Sequence, residues 1–356
     1  MNNWKKVRLS ELADITMGQS PKSDFYNSNG DGLPFLQGNR TFGDKYPTFD
    51  TWTTFVTKEA EVGDVIMSVR APVGDINITP LKMCLGRGVC GLRHKQGAQE
   101  FLYYLLRANK ENLINRENGT VFGSINKTDI SNLEVQVPSL REQIQIGLTL
   151  KAIDDKIENN KKINHHLEEM GTTIWQEKFS DKIPNGTLGD IAIVSSGKRP
   201  PVKTTVQTDE EKIPILGASS VMGYTNQALY HQKILVTGRV GTHGIIQRYQ
   251  RSCWPSDNTL VLQSNSYEFV YQILKNIDFT VMNRGSTQPL ITQTDLKKSN
   301  IYIPTTNELS DFEIIVGTLM KQHEQNNIEN DILSTLRDTL LPKLLFGKIS
   351  VNQATK

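Results

Sequence analysis

Residues 140–179 carry the pattern that most constrains what this chain can fold into. Apolar residues recur at alternating steps of four and three: Ile146, Leu150, Ile153 and Ile157, then Asn160 and Asn164, then Leu167, Gly171 and Ile174. That spacing lines one stripe of a long helix and makes a coiled-coil seam with two polar positions at its middle. The seam returns 166 residues later as Phe312, Val316, Leu319, His323, Asn326, Asn330, Leu333, Arg337 and Leu340. At about 1.5 Å per residue, some forty residues make a rod roughly 60 Å long, and its apolar stripe needs a cover.

The simplest cover is the other copy. If the two pack antiparallel, setting Asn160 against Asn330 also sets Asn164 against Asn326, Ile157 against Leu333, Leu150 against Leu340 and Ile146 against Leu344. Asparagines facing each other inside a seam weaken it and fix its register. The alternative is that they sit at a wet edge.

Repetition extends over nearly the whole chain, and a repeat of this size decides the fold. Leu9–Gly18 lines up with Leu188–Gly197, Leu33-Pro-Phe-Leu36 with Ile213-Pro-Ile-Leu216, and Gly63–Gly74 with Ile234–Gly241. The amphipathic run from Phe101 to Leu106 matches Phe269–Leu274, and Gly119–Ile130 matches Gly285–Leu296. Further strands are expected at 88–92 and 259–262. Each copy reaches a proline, Pro138 or Pro304, and enters its long helix.

The fold class is therefore α/β (α+β mixed), two tandem repeats of a β-rich domain and a long helix. The first domain covers 1–138, its spacer helix 139–181, the second domain 182–304, its helix 305–347, and a tail 348–356. In the order domain, rod, domain, rod, antiparallel packing places the domains at opposite ends. It also returns the segment near Gly347 to the first domain, a pseudo-two-fold, circular organisation.

Composition narrows the function. The apolar fraction, 37%, is that of a globular core. Cys84, Cys90 and Cys253 lack CxxC spacing, which favours small buried thiols in a reducing compartment over a disulfide framework or zinc ribbon. The N-terminus has no apolar signal core and no run suits a membrane span, so a cytoplasmic location is expected. The globular segments total +6 and the helical ones −4, which suits domains facing phosphate and helices facing protein.

Motifs of chemistry are missing. There is no phosphate loop, HExxH, GxSxG elbow or EF-hand loop, and Ser195-Ser-Gly-Lys-Arg199 lacks phosphate-loop spacing. Pro200-Pro201 follows Arg199 and leads to Val202, unlike the Asn/Asp-Pro-Pro-aromatic motif of amino-methyltransferases. His165 and His166 point to different helix faces, as solvated residues rather than metal ligands. No enzyme activity is expected of this chain.

Several long patterns carry a family resemblance: Gly63-Asp-Val-Ile-Met-Ser-Val-Arg-Ala-Pro-Val-Gly-Asp-Ile76, Leu85-Gly-Arg-Gly88, Pro138-Ser-Leu-Arg-Glu-Gln143 leading to Ile153-Asp-Asp-Lys-Ile157, and the ending Leu336–Ile349. Over essentially its whole length the chain resembles the specificity subunits of type I restriction-modification systems. In the second domain the Ala-Pro insertion after Arg239 is missing, and His323 stands where an Ile is expected.

That resemblance implies a non-catalytic subunit with two target recognition domains, each reading half of a split site in double-stranded DNA. The helices would set the gap and dock two modification subunits that methylate adenine N6, and two restriction subunits that translocate and cut DNA would join them for phage defence. S-adenosylmethionine, ATP and Mg are expected in those partners and none in this chain.

For DNA contact the first domain offers Gln19, Lys22, Gln37, Asn39, Arg40, Arg70 and Arg87. The second offers Lys198, Arg199, Ser219, Arg239, Arg284, Ser286 and Gln288. Arg bridges guanine and Asn or Gln bridges adenine, each worth about 1–3 kcal/mol of discrimination. Half or more of protein–DNA hydrogen bonds go to the backbone, so many of these residues would hold phosphate. Arg70 and Arg239 recur at matching places, which suits a shared phosphate or framework role. The rival readings are a coiled-coil adapter with two protein-binding domains and no DNA, and an enzyme concealed in the β-rich domains.

Overall fold

The computed structural model describes residues 4–116, 123–240, 244–282 and 290–354. The chain divides into two compact units, residues 1–160 with 328–356 and residues 161–327. Four longer helices matter here: α1 (Gln99–Ala108), α2 (Leu140–Phe179), α3 (Tyr267–Asn276) and α4 (Thr306–Leu345). The two long helices start for the same local reason. Ser139 Oγ accepts the Glu142 N–H, and Thr305 shares a reciprocal pair of hydrogen bonds with Glu308, each just after a proline.

In the first unit, strands β1 (Ala13–Met17), β2 (Leu33–Leu36), β3 (Val65–Ser68), β4 (Ile76–Ile78), β5 (Met83–Leu85) and β6 (Val89–His94) form the framework. One antiparallel sheet runs β1, β6, β3, β4. In a second, five-stranded sheet β2 and β5 are parallel neighbours, with Phe35 opposite Cys84 and Leu36 opposite Leu85. Every residue of β3 and β5 is buried, which is why these strands read as continuous apolar runs rather than alternating ones. Strand Lys5–Arg8 pairs with Glu134–Val137, tying the start of the domain to its exit into α2.

Helix α1 is buried from Phe101 through Leu106 and shares a core with Ile146 and Leu150 of α2 and Leu340, Leu341, Leu344 and Leu345 of α4. Ile349 and Val351 pack on that core, so the C-terminal segment does return to the first domain. Asp154 anchors the contact. Its Oδ1 accepts from Arg337 at 2.9 Å, its Oδ2 accepts from the Tyr104 hydroxyl at 2.5 Å, and Lys45 Nζ lies 3.7 Å away. Lys45 is 4% exposed and also faces Glu100 at 3.4 Å and the rings of Tyr103 and Tyr104. Burial, reinforced by Asp154, pushes the Tyr104 phenol far above its ordinary pKa.

The second unit repeats the plan with fewer strands. β7 (Ile193–Ser196), β8 (Ile213–Leu216), β9 (Val221–Thr225), β10 (Ile234–Gly238), β11 (Gln247–Tyr249), β12 (Trp254–Pro255) and β13 (Thr259–Gln263) make two sheets, ordered β7, β13, β10, β11 and β9, β8, β12. The parallel pair recurs as β8 with β12, Ile215 opposite Trp254. Its buried cation is Arg248, ion-paired with Glu268 at 2.6 Å and stacked over Tyr267 and Tyr271.

Helix packing follows the expected antiparallel register within each unit. In the first, Asn160 Nδ2 donates to Asn330 Oδ1 at 3.0 Å and to Glu329 Oε2 at 2.7 Å. In the second, Asn326 Nδ2 donates to Asn164 Oδ1 at 2.8 Å, and Asn164 Nδ2 to Asn327 Oδ1 at 2.8 Å. Asn160, Asn164 and Asn326 are buried, so the wet-edge alternative is set aside. His323 keeps its place beside the seam by pairing with Glu168 at 3.2 Å, a bond that lowers the Glu168 carboxyl pKa.

One helix contact is solved in two ways. A Cβ on Gly147 would lie 2.6 Å from the Phe101 nitrogen, so only glycine lets α2 approach the start of α1. Glu313 holds the corresponding place in the second unit, and its carboxylate accepts the N–H groups of Phe269 and Glu268 at the start of α3.

Candidate nucleic-acid interface

Glycines bring three strand ends of the first unit together. A Cβ on Gly18 would lie 2.1 Å from the Gly86 carbonyl oxygen, one on Gly86 2.6 Å from that of Leu36, and one on Gly88 2.3 Å from that of Gln37. Only residues without Cβ permit backbones this close. The hydrogen bonds that follow are Gly18 N–H to Val89 O, Gln19 N–H to Leu85 O, Gly86 N–H to Leu36 O and Gly88 N–H to Gln37 O, all 2.9–3.0 Å.

Positions 19, 37 and 87 therefore sit on backbone fixed by its own bonds, with their side chains exposed. Together with Ser20, Tyr26, Phe35, Arg40 and Asp50 they line a cleft of about 780 Å³. Tyr26 and Phe35 stack with ring centroids 4.7 Å apart, and the Tyr26 hydroxyl donates to Pro21 O. Arg40 pairs with Asp50 at 2.6 Å at the surface, and that hydrogen bond holds the Asp50 carboxyl below its usual range. Ser20 Oγ accepts the Arg87 N–H at 3.0 Å and donates to Gln37 Oε1 at 2.8 Å.

Four of the first domain's candidates, Gln19, Gln37, Arg40 and Arg87, thus share one cleft. The others stand apart from its lining. Asn39 donates to Asp75 Oδ2 at 2.7 Å, and Asp75 also takes Lys110 at 2.6 Å. Lys22 is exposed at the head of the short turn Ser23–Phe25, and Arg70 is exposed where its backbone bridges to Ser124. Ser20 was not singled out from the sequence. Nothing in the order of residues says that it lies against Gln37, 17 positions on.

The second unit keeps the frame and changes the side chains. A Cβ on Gly197 would lie 2.1 Å from the Ser256 carbonyl oxygen. Lys198 N–H bonds to Pro255 O at 3.0 Å and Ser256 N–H to Leu216 O at 2.9 Å. By this bonding Lys198 holds the place of Gln19, Arg199 that of Ser20, Gly217 that of Gln37 and Asp257 that of Arg87. Lys198, Arg199 and Ser219 are exposed. Arg284, Ser286 and Gln288 lie outside the described residues.

The equivalence expected for Arg70 and Arg239 needs correction. Arg239 N–H bonds to Asn258 O and its carbonyl accepts from Ile291; in the first unit the residue with those bonds is Val69, to Gly88 O and from Ile125. Arg239 therefore matches Val69, and Arg70 matches Val240. Matching letters slipped the alignment by one residue, which in extended chain turns the side chain to the opposite face. Arg239 is half-buried, and its Nε finds no acceptor among the described residues.

The assembled groups are polar side chains, the cations Arg40 and Arg87, the Asp50 carboxylate paired with Arg40, and stacked rings on a hydrogen-bonded frame, suited to binding. Among the described residues no cluster of three His, Cys, Asp or Glu side chains is placed to hold a metal, and no helix is long and apolar enough to cross a membrane.

The duplicated frame has a counterpart among known proteins. The family described as the type I restriction modification DNA specificity domain matches the chain twice, over residues 1–169 and 181–338. The chain belongs to this family. As a member of the specificity family it is similar to the type I restriction enzyme MjaIX specificity subunit of Methanocaldococcus jannaschii. The two are 23% identical over 413 aligned positions, covering 99% of this chain and 94% of that one. It is also 38% identical, over 185 residues, to a putative MjaX specificity subunit of the same organism; that match covers 51% of this chain and only 44% of the relative. The crystal structure of a type I restriction-modification S subunit from M. genitalium shares the fold, with a TM-score of 0.67 over 97% of this chain and 96% of that one at 20% identity.

Proposed function

We propose that this chain is the non-catalytic DNA-reading subunit of a type I restriction-modification assembly, with each recognition domain contacting one half of a split site. The observation that carries this reading is the repeated main-chain frame, pinned by Gly18, Gly86 and Gly88 in one unit and by Gly197 in the other, which presents Gln19, Gln37 and Arg87 in the first and Lys198, Gly217 and Asp257 in the second. A shared backbone with different donors and charges is what two unlike half-sites require. In the first unit Gln19, Gln37, Arg40 and Arg87 are the contacts we favour. In the second they are Lys198, Arg199 and Ser219, with Arg239 as a positioning residue. Lys22, Asn39 and Arg70 are better suited to phosphate or framework roles.

The long helices set the spacing in this proposal, since the asparagine contacts of each unit admit one register. They also dock two modification subunits, to which restriction subunits attach. The support lies in exposed apolar residues that the helix seam does not use. Leu148 and Ile314 hold equivalent places and are 55% and 65% exposed, as do Met170 and Leu336, at 50% and 44%. An apolar surface repeated in both copies fits two copies of one partner. S-adenosylmethionine, ATP and Mg act in the partners and the assembly works in the cytoplasm.

The test is a methylome: host DNA sequenced with and without this gene and scored for N6-methyladenine. One split, asymmetric motif should vanish with the gene. Inserting one helical turn after Asn160 and after Asn326 should change the gap and leave both half-sites as they were. If no motif depends on the gene although modification subunits co-purify with the chain, the reading fails and a protein adapter takes its place.

A further inference from the structure

We propose that Ser20 is a specificity-determining positioning residue that fixes Gln37 as a hydrogen-bond donor, so that the first recognition domain reads a base-edge acceptor at that contact. The proposal rests on the reading that this cleft faces DNA.

The argument is one of proton counting. A backbone N–H can only donate, so the Arg87 N–H obliges the Ser20 oxygen to accept, at 3.0 Å. The Ser20 hydroxyl still has one proton to place, and its partner at 2.8 Å is the Gln37 side chain. With the carbonyl oxygen of Gln37 turned to Ser20, that proton is used. With the amide turned the other way, the Ser20 oxygen would accept from both the Arg87 and the Gln37 N–H groups and its proton would turn to solvent, giving up the bond to Gln37 Oε1 that the structure shows. The relay Arg87 N–H to Ser20 O–H to Gln37 Oε1 runs in one direction as observed and leaves the two N–H groups of Gln37 for an outside partner.

Both ends of the relay are anchored in the frame. The Arg87 peptide lies between Gly86 and Gly88, whose N–H groups bond to the carbonyls of Leu36 and Gln37, and the chain before Ser20 is held through Gln19 N–H to Leu85 O. Ser20 is half-buried while Gln37 and Arg87 are exposed, so the support lies inside and the two readers outside. Arg87 lines the same cleft, and its guanidinium carries only donors. An edge rich in acceptors, guanine O6 and N7 or thymine O4, complements this set; adenine presents an amino group beside its N7 and cytosine an amino group alone. This departs from the adenine pairing that a free glutamine would favour.

The second unit lacks the relay. Arg199 stands in place of Ser20 and Gly217 in place of Gln37, so the device belongs to one half-site only.

The experiment uses the full chain assembled with its modification subunits, selected against a library of double-stranded DNA randomised over the half-site, with the methylome as a second readout. Wild type should show a guanine or thymine preference at one position that Gln37→Met abolishes. Ser20→Ala should relax preference at that same position by about 5- to 150-fold, with adenine gaining, and leave the other half-site and the gap unchanged. Gln37→Glu, which offers acceptors in place of donors, should move the preference to cytosine or adenine. Ser20→Thr, which retains the hydroxyl, should keep the wild-type preference.

A wild-type motif unaltered by Ser20→Ala and Gln37→Glu overturns the proposal and leaves the DNA-reading function standing. So does an adenine preference at the position that Gln37→Met erases. If the assembled wild type selects no motif at all, the function itself fails and the proposal falls with it. Should Ser20→Ala fold poorly, the shift with Gln37→Glu against retention with Ser20→Thr decides the matter.

Discussion

Removing the Asp154 carboxylate is the most informative single perturbation of the first unit. Asp154 is 5% exposed and touches three groups: Arg337 at 2.9 Å, the Tyr104 hydroxyl at 2.5 Å and Lys45 Nζ at 3.7 Å. Asp154→Ala leaves the buried Lys45 ammonium with Glu100 alone, and leaves the Arg337 guanidinium, whose side chain is 15% exposed, with Asp338. Deleting one partner of a buried ion pair costs about 3–5 kcal/mol, because the other charge stays behind. Arg337→Ala should cost less, about 1–3 kcal/mol, since Asp154 keeps Tyr104 and Lys45.

Native-state hydrogen exchange of α1 reads this directly. A loss of about 3–5 kcal/mol in opening free energy raises exchange by two to more than three powers of ten, while peptides of the second unit should change little. Replacing the cluster together, with Lys45→Met, Glu100→Gln, Tyr104→Phe, Asp154→Leu and Arg337→Leu, so that no buried charge or hydroxyl is left without its partner, should recover much of the loss. If Asp154→Ala proves milder than Arg337→Ala, the carboxylate is not the hub of the network and the reasoning is wrong.

Other outcomes can be stated briefly. Gly88→Ala brings a methyl to 2.3 Å from the Gln37 carbonyl oxygen, should destabilise the first unit by about 1–3 kcal/mol, and should erase methylation of one half-site pattern while the second unit's fold persists. Leu148→Glu with Ile314→Glu should abolish co-purification of modification subunits, and either change alone should halve their number per chain, as mass measurement of the complex would show. Burial holds the His94 pKa below its ordinary value, with Nδ1 accepting from Gln96 and Ala98 and Nε2 facing Gln143. A depressed folded pKa means that stability present above about pH 6.5 declines as pH falls through that value toward the folded one. His94→Gln should remove this part of the slope in denaturant titrations at pH 7.5 and 5. Cys90, pushed up to about 12 by burial, should resist thiol reagents until the unit unfolds.

The helices were the most legible part of this molecule. A heptad pattern is local, and the asparagines at 160, 164, 326 and 330 break it at matching places, so even their partners could be derived by counting. The pinned cleft was half legible. Glycines at 18, 86 and 88 and exposed polar residues beside them are visible in order, yet which strand ends meet depends on parallel pairing between β2 and β5, and no local signal encodes that. Arg70 shows the limit from another side: one residue of slippage in an alignment is invisible to composition but reverses the face of a strand. Ser20 was beyond reach because its meaning is a contact across 17 residues, set by tertiary folding and not by any propensity of its own.

Gly18, Gly86 and Gly88 hold the cleft by main-chain bonds, so the exposed side chains at 19, 37 and 87 contribute little to folding. Changes at such exposed positions usually move stability by no more than about 0.5 kcal/mol. The frame works like a lock cylinder whose pins can be recut singly. Under pressure to recognise new sequences, this chain can wander through many combinations of those three letters while every intermediate still folds, and the main-chain bonds of the frame are the part it must keep.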